Sequence, residues 1–588
     1  MTGDLRGGGE RQAEQPTTEE QLADPRFLVT ADPHEAVLRL ATASGPAARL
    51  AAAVYRASAR LHGEAGAATR RQLLALDAAR FGDPALAGRL AAVSLAQVPD
   101  ERWRVDWATG SGVHHAFRGT ADGSWPPPLV DLDGRPAVIT RGEDGALLLC
   151  DPATGEPLLR PPAAGAAPGE ECAVVLDGLP LTVRCERGAP PRLFDAATGE
   201  PLGALEGEDG EDGEDGEDGE FAGPGPTPSA VAALTRDGRP HVLGDDGDGF
   251  ALWDLTTLEL AGRIVVFEED DLQAWAVTEL DGRPHAVVGS FRGAVGLWDL
   301  HAGERVAEGR SEDADLWTAV LAPIGGRPHV LTVGSNPYVG EPLEAAELWS
   351  LDPLRRLDRL PLGWGELTTA TARGRCWVLT GGGRAWELSD AAPAGRRTPG
   401  HRARVRAVAS TVLDGRDIVV SGGDDEVLRL WDLATGEPVG PPRATAPYED
   451  EWEGVSGVRT AVVDGRAYAV ATHEDAYEDT AERVWDLAVG AEAAPEIARR
   501  IVEQAAGGAP AVAAPEPEGV TATAVGTLDG RPVAVVAVRR RVQVWDLSGE
   551  PFVSGELAFP EPVTALALTS DGRLLAGFGE DVAVLSRR

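Results

Sequence analysis

The sequence predicts a mainly β chain, built of about ten blade-like repeat units and preceded by a small all-α N-terminal domain. Three observations predict it. Asp-Gly pairs recur between alternating apolar runs, from Asp133-Gly134 to Asp571-Gly572. A large apolar residue, most often Trp, recurs near the end of a later run in each unit. Before residue 100 the pattern is different: Ala, Leu and Arg broken by Gly and Pro.

Residues 1–30 are polar, with GGGE and PTTEEQ, and are expected to be disordered because they can bury too little apolar surface. Residues 31–98 read as a helical domain. Asp32 is a good N-cap for a helix starting at Pro33, since its carboxylate can accept from the free N–H groups of the first turn. Further helical stretches at 46–62, 67–81 and 84–96 are separated by short Gly-containing breaks, which makes neighbours antiparallel. The domain is expected to cap the adjoining repeat region, with a docking role as the alternative.

The repeat runs from 103 to 588. The unit at 405–439, VRAVASTVLDGRDIVVSGGDDEVLRLWDLATGEPV, parses as strand, Asp-Gly turn, strand, Gly/Asp turn, strand ending in Trp-Asp, and a short fourth strand. Asp and Gly tolerate the positive φ of a type I′ hairpin turn. The pair recurs at residues 133, 177, 237, 281, 414, 464, 529 and 571, with weaker versions at Gly325-Gly326 and Arg373-Gly374. The matching third-strand positions are Cys150, Phe194, Trp253, Trp298, Trp349, Trp386, Trp431, Trp485, Trp545 and Leu585. Two spacers stretch the repeat and read as surface loops or disorder: the acidic run 207–220, and the Ala/Pro/Glu-rich stretch 488–518 with a short helix at 495–505.

This pattern resembles the WD40-repeat β-propeller family, in a bacterial, high-GC form, over about residues 103–588. Trp-Asp itself stands at Trp253-Asp254, Trp298-Asp299, Trp431-Asp432, Trp485-Asp486 and Trp545-Asp546, and Gly-His at Gly400-His401. The resemblance implies a Trp–His–Asp hydrogen-bond network near His401, Asp425 and Trp431. It also implies ring closure by a strand from the N-terminal side. Residues 113–117 look like that strand, pairing with the last unit, which favours one ring; a seven-bladed ring with a partial second one is the alternative.

Composition narrows the function. The 94 acidic residues against 54 basic ones, all Arg, give a net charge of −40. That argues against nucleic acid, which needs clustered cations, and toward a basic protein surface. No stretch is long and apolar enough for a membrane span, and no apolar signal core follows Met1, so a cytoplasmic location is expected. The four cysteines form no CxxC pair and are expected to be reduced.

Several motifs reduce to structure. The Glu-Asp-Gly run lacks the ligand spacing of a calcium loop. His241, His285 and His329 recur as Arg-Pro-His without accompanying carboxylates or cysteines, which reads as an ordinary strand position, so neither metal nor cofactor is expected. No nucleophile elbow, phosphate loop or HExxH helix is present, so an enzyme is not expected.

The informative feature is the loops ahead of each unit's first strand, where carboxylates stand beside large aromatics. They supply Glu268, Asp271 and Trp275, then Asp315 and Trp317, then Trp364 and Glu366, then Tyr448, Glu449, Glu451 and Trp452. In the resembled family these loops share one face with the second-to-third-strand turns, here carrying Tyr338 and His473. Acids can pair with a cationic side chain while aromatic faces add cation–π contact, so the expected function is a non-catalytic scaffold binding a basic protein or peptide. Arg396, Arg397, Arg402, Arg404 and Arg406, with Arg539, Arg540 and Arg541, form a counter-patch that could orient the partner. The alternatives are a propeller enzyme with a site near the central opening, and an assembly subunit acting through the helical domain. Oligomeric state is left open.

Overall fold

The computed structural model describes residues 18–95, 103–120, 129–132, 135–141, 147–150, 171–176, 179–185, 189–196, 198–205, 228, 230–245, 249–266, 272–290, 292–311, 314–335, 345–362, 367–372, 375–380, 384–388, 397–445, 452–475, 480–506 and 519–587. The acidic run 207–220 lies outside them.

Helices begin earlier than expected, at α1 (Thr18–Leu22) and α2 (Pro25–Thr30), inside the segment read as disordered. The reason is local: Asp24 accepts from the Arg26 N–H at 2.9 Å with Pro25 in the first turn, repeating what Asp32 does for α3 (Pro33–Leu40). Next come α4 (Pro46–Ala57), α5 (Ala59–His62), α6 (Ala67–Arg80) and α7 (Pro84–Ala91), the last again capped by an Asp-Pro pair, with Asp83 accepting from Leu86 N–H at 2.7 Å. Leu28, Val54, Leu74 and Leu90, each fully buried, make the core of this helical region.

The rest is mainly β. Among the described residues there are nine four-stranded antiparallel sheets and one three-stranded sheet. We number them 1 to 10 along the chain: 129–150, 171–204, 231–265, 272–310, 314–360, 367–388, 405–444, 452–492, 520–558 and 563–587. The hairpin turns follow the sequence. Asp237, Asp281, Asp414, Asp464 and Asp529 have φ of 50–53° and the glycines after them 75–79°, as a type I′ turn requires. Gly325 and Gly326, at 57° and 77°, make the same turn. The third-strand residues Trp253, Trp349, Trp386 and Trp431 are fully buried between sheets. The helix α8 (Pro495–Ala506) falls where expected and covers sheet 8, with Ile501 buried against Tyr468, Val470 and Val484.

Closure strands depart from expectation. The last sheet takes its fourth strand from β1 (Trp103–Ala108), which pairs with Asp581–Arg587, not from residues 113–117. A second N-terminal strand, β2 (Phe117–Thr120), completes sheet 6 by pairing with Arg384–Leu388. The last sheet then packs against sheet 7. A Cβ on Gly577 would stand 2.6 Å from Val405, just as one on Gly422 of sheet 7 would stand 2.6 Å from Val455 of sheet 8. Thr564 donates to the Val405 carbonyl, and Thr521 of sheet 9 to the Val563 carbonyl at 2.6 Å. Sheets 8, 7, 10 and 9 therefore pack in that order, and sheets 2 to 6 pack in sequence through shared cores.

The helices touch both groups. α6 and α7 lie on β1, α6 also on the outer strand of sheet 9, and α4 lies on β2. Arg80 at the end of α6 reaches Asp581 through Nε at 2.9 Å and Asp77 through its Nη1 at 2.9 Å, all three buried. Asp581 also accepts from Thr109, Ser111 N–H and Gly112 N–H. A buried carboxylate with that many donors is fully paired, which such a group needs in a low-dielectric interior.

Candidate functional site

The expected partner-binding residues divide three ways. Trp275 is 4% exposed and packs edge-on to Phe250, ring centroids 5.1 Å apart, in the core between sheets 3 and 4. This removes it from any surface, because strand alternation puts its indole on the same buried face as Val277 and its cross-strand partner Val288. Trp317 is the opposite case. Leu316 pairs with Gly334 and Thr318 with Val333, so Trp317 is the extra residue of a bulge. A bulge re-aims its side chain, and Trp317 is 42% exposed. Asp315 and Trp452 lie near the starts of the strands Ala314–Leu321 and Trp452–Val463. Glu268, Asp271, Trp364, Glu366, Tyr448, Glu449 and Glu451 lie outside the described residues, as do Tyr338 and Arg396. His473 is buried in the strand Arg466–Asp475, not set on the turn. Of the arginine counter-patch, Arg397 turns inward to Asp358, and Arg406 pairs with Asp424 at 2.7 Å.

The His401 network forms and gains a member that the sequence pattern does not reveal. Trp431 Nε1–H donates to Ser421 Oγ at 2.8 Å, Ser421 meets His401 Nε2 at 2.7 Å, and His401 Nδ1 meets Asp425 at 2.8 Å. Burial pushes the Asp425 carboxyl up, but the His401 beside it outweighs this and holds it below its usual range. Next to it Glu426 has φ of 55° and is 3% exposed. Its Oε2 has no partner. Burial, then the Asp425 charge, pushes its carboxyl up to about 7. These groups hold a turn together; they enclose no space for a ligand.

A denser cluster sits where the β1–β2 connection meets sheet 5. His114, His115 and Asp358 bring three potential metal donors within 4.8 Å of one another. Their hydrogen bonds argue against a cation there. Ala116 N–H donates to His114 Nδ1 at 3.1 Å, so Nε2 carries the ring proton and gives it to Asp358 Oδ2 at 3.0 Å. Asp358 Oδ1 already accepts from Arg359 N–H at 2.9 Å and from Arg397 at 3.1 Å. A metal on Nε2 would need Nδ1 protonated against the Ala116 donor, and would lie beside a guanidinium. Burial pushes both imidazoles down, His115 to about 3, so both are neutral at pH 7. The cluster locks three segments together: the β1–β2 connection, sheet 5, and the approach to sheet 7.

Ser58, His62 and Asp77 also meet, with Ser58 Oγ 3.4 Å from His62 Nε2. All three are fully buried and His62 Nδ1 has no partner, so the imidazole is neither oriented by the carboxylate nor reachable by a substrate.

An open cleft of about 1080 Å³ lies between sheets 4 and 5, at the end of the strands carrying the Asp-Gly turns. This is the opposite end from Trp317. Its walls include Arg283, His285, Asp299, Arg327, His329 and Arg355. His285 and His329 are both buried, and each meets the carbonyl of the residue two before it at 3.0 Å through Nδ1. A carbonyl only accepts, so Nδ1 carries the proton and Nε2 keeps its lone pair. These histidines stand in strands, as the sequence predicts. The cleft has no local signature, because its walls come from two different sheets, 4 and 5.

No family model matches the sequence, and no curated protein matches it. Among solved structures the chain is similar to the computationally designed Ika8 protein, at 15% identity over 73% of this chain and 99% of that one. The TM-score of 0.22 is too low for that likeness to support an inference. Among the described residues no helix is long and apolar enough to cross a membrane.

Proposed function

We propose that the protein is a WD40-like β-propeller scaffold that binds a basic protein or peptide without catalysis, through Trp317 and the acidic segments that precede the first strands in sequence. The observation that carries this reading is the bulged Trp317, a large aromatic held outward at 42% exposure beside the fully buried Leu316. An exposed Trp beside carboxylates suits an arginine or lysine, through cation–π contact and ion pairing. The chain's net charge of −40 favours encounter with a basic partner.

The sheet order supports a finer arrangement: two propeller-like groups, sheets 1 to 6 completed by β2 and sheets 7 to 10 completed by β1, in place of a single ring. Each N-terminal strand then supplies the outer edge that its group's last sheet lacks.

The test is titration of a fluorescent Arg-rich peptide into the full chain. Trp317→Ala, and separately the combined reversal of Glu268, Asp271, Glu449 and Glu451 to Arg, should each weaken binding at least about 10-fold, the loss expected of an aromatic or charged anchor. Unchanged affinity in both variants would sink the proposal.

A further inference from the structure

Three consecutive sheets carry the same row of side chains across their second, third and fourth strands, and the third breaks it. In sheet 3 the row is His241, Asp254, Glu259; in sheet 4 it is His285, Asp299, Glu304. In sheet 5 the same register gives His329, Ser350, Arg355. Two acids have become a hydroxyl and a cation.

The change frees a second cation. After four of the Asp-Gly turns an Arg reaches the third-strand Asp: Arg239 to Asp254 and Arg283 to Asp299 at 3.5 Å, Arg466 to Asp486 at 3.3 Å, Arg531 to Asp546 at 3.5 Å. Arg327 occupies this place in sheet 5 and finds Ser350, whose hydroxyl is turned to the Pro353 carbonyl at 2.7 Å. Neither Arg327 nor Arg355 has an ion-pair partner among the described residues. Both line the cleft of about 1080 Å³, near the upper size of small-ligand sites, and His329 lines the same wall.

We infer that this cleft binds an oxyanion, a carboxylate or phosphate group of a ligand, between Arg327 and Arg355. Two guanidiniums present paired N–H donors that match such a group. The Nε2 lone pair of His329 can accept from a ligand O–H or N–H beside it. Leu280, Leu351 and Leu357 supply apolar wall for the ligand's carbon skeleton. Glu279 and Asp281 on the facing wall, with Asp352 at the turn, oppose a bare dianion and favour a ligand that also carries a positive or hydrogen-donating end. The site is independent of the basic-partner face, since it lies at the other end of the strands.

The test uses the full chain with ¹³C-labelled histidine and two probes that each carry an ammonium end, phosphoethanolamine and 4-aminobutyrate, followed by NMR and calorimetry. The His329 ring signals, assigned with His329→Gln, should shift saturably with at least one probe, and which one distinguishes phosphate from carboxylate. Ser350→Asp rebuilds the row of the neighbouring sheets, is compatible with the fold there, and should weaken binding at least 10-fold; Arg355→Glu should do the same. Arg239→Ser, in a sheet whose row is intact, should bind like the wild type. No saturable shift with either probe, or a Ser350→Asp variant that binds as tightly as wild type, would overturn the inference.

Discussion

Glu426 shows how one carboxyl can work against the turn that holds it. Its side chain is buried with Oε2 unpartnered, and burial, then Asp425, raises it to about 7 from an ordinary 4.5. Between those values the folded protein keeps a proton that the unfolded chain releases. Stability from this group therefore falls as pH rises through that window and stays lost above about 7. Glu426→Gln should raise stability at pH 8 by on the order of 1–3 kcal/mol in urea denaturation and leave it unchanged at pH 4. An equal effect at both pH values would mean that shape, not charge, matters there. At this scale the sequence is unevenly informative. His401, Asp425 and Trp431 are readable from the Gly-His and Trp-Asp motifs. Ser421, which joins them, is not, because a serine in mid-strand carries no local signal. Trp275 and Trp317 look alike in sequence; a bulge one residue long sends one out and leaves the other in the core.

Among elements, the hairpins are legible and the closures are not. Positive φ at Asp237, Asp281, Asp414, Asp464 and Asp529 follows from Asp-Gly itself, one of the few pairs that tolerate that backbone cheaply. Which strand completes the last sheet depends on an edge some 470 residues away, as the Ser111–Asp581 contact illustrates. Both 103–108 and 113–117 are short and mix apolar with polar residues, so local pattern could not choose. The choice is fixed by Arg80, which clamps Asp581 beside β1. Asp581→Ala should cost about 3–5 kcal/mol, because it strips a buried guanidinium of one partner and leaves the Thr109 and Ser111 donors unmet. Chemical denaturation measures this; a loss below about 1 kcal/mol would show that Asp77 alone satisfies Arg80.

For the molecule as a whole, the last sheet lies against sheet 7, and the helical region touches both β1 in the last sheet and β2 in sheet 6. Gly577→Val would drive a side chain into Val405, so backbone amides of sheets 7 and 10 should exchange faster with solvent while those of sheet 3 are unaffected. Faster exchange in sheet 3 as well would mean the sheets unfold as a single unit. The sequence by itself determined the repeat, its turns, the buried third-strand residues and the helical start, because each rests on contacts within about 40 residues and on backbone preferences that residues carry with them. Only the tertiary structure decided the sheet order, the strands that close the edges, and the cleft where Ser350 and Arg355 replace two acids. Those depend on which distant surfaces meet, and a sheet's outward face is complementary to more than one neighbour until the whole chain is packed.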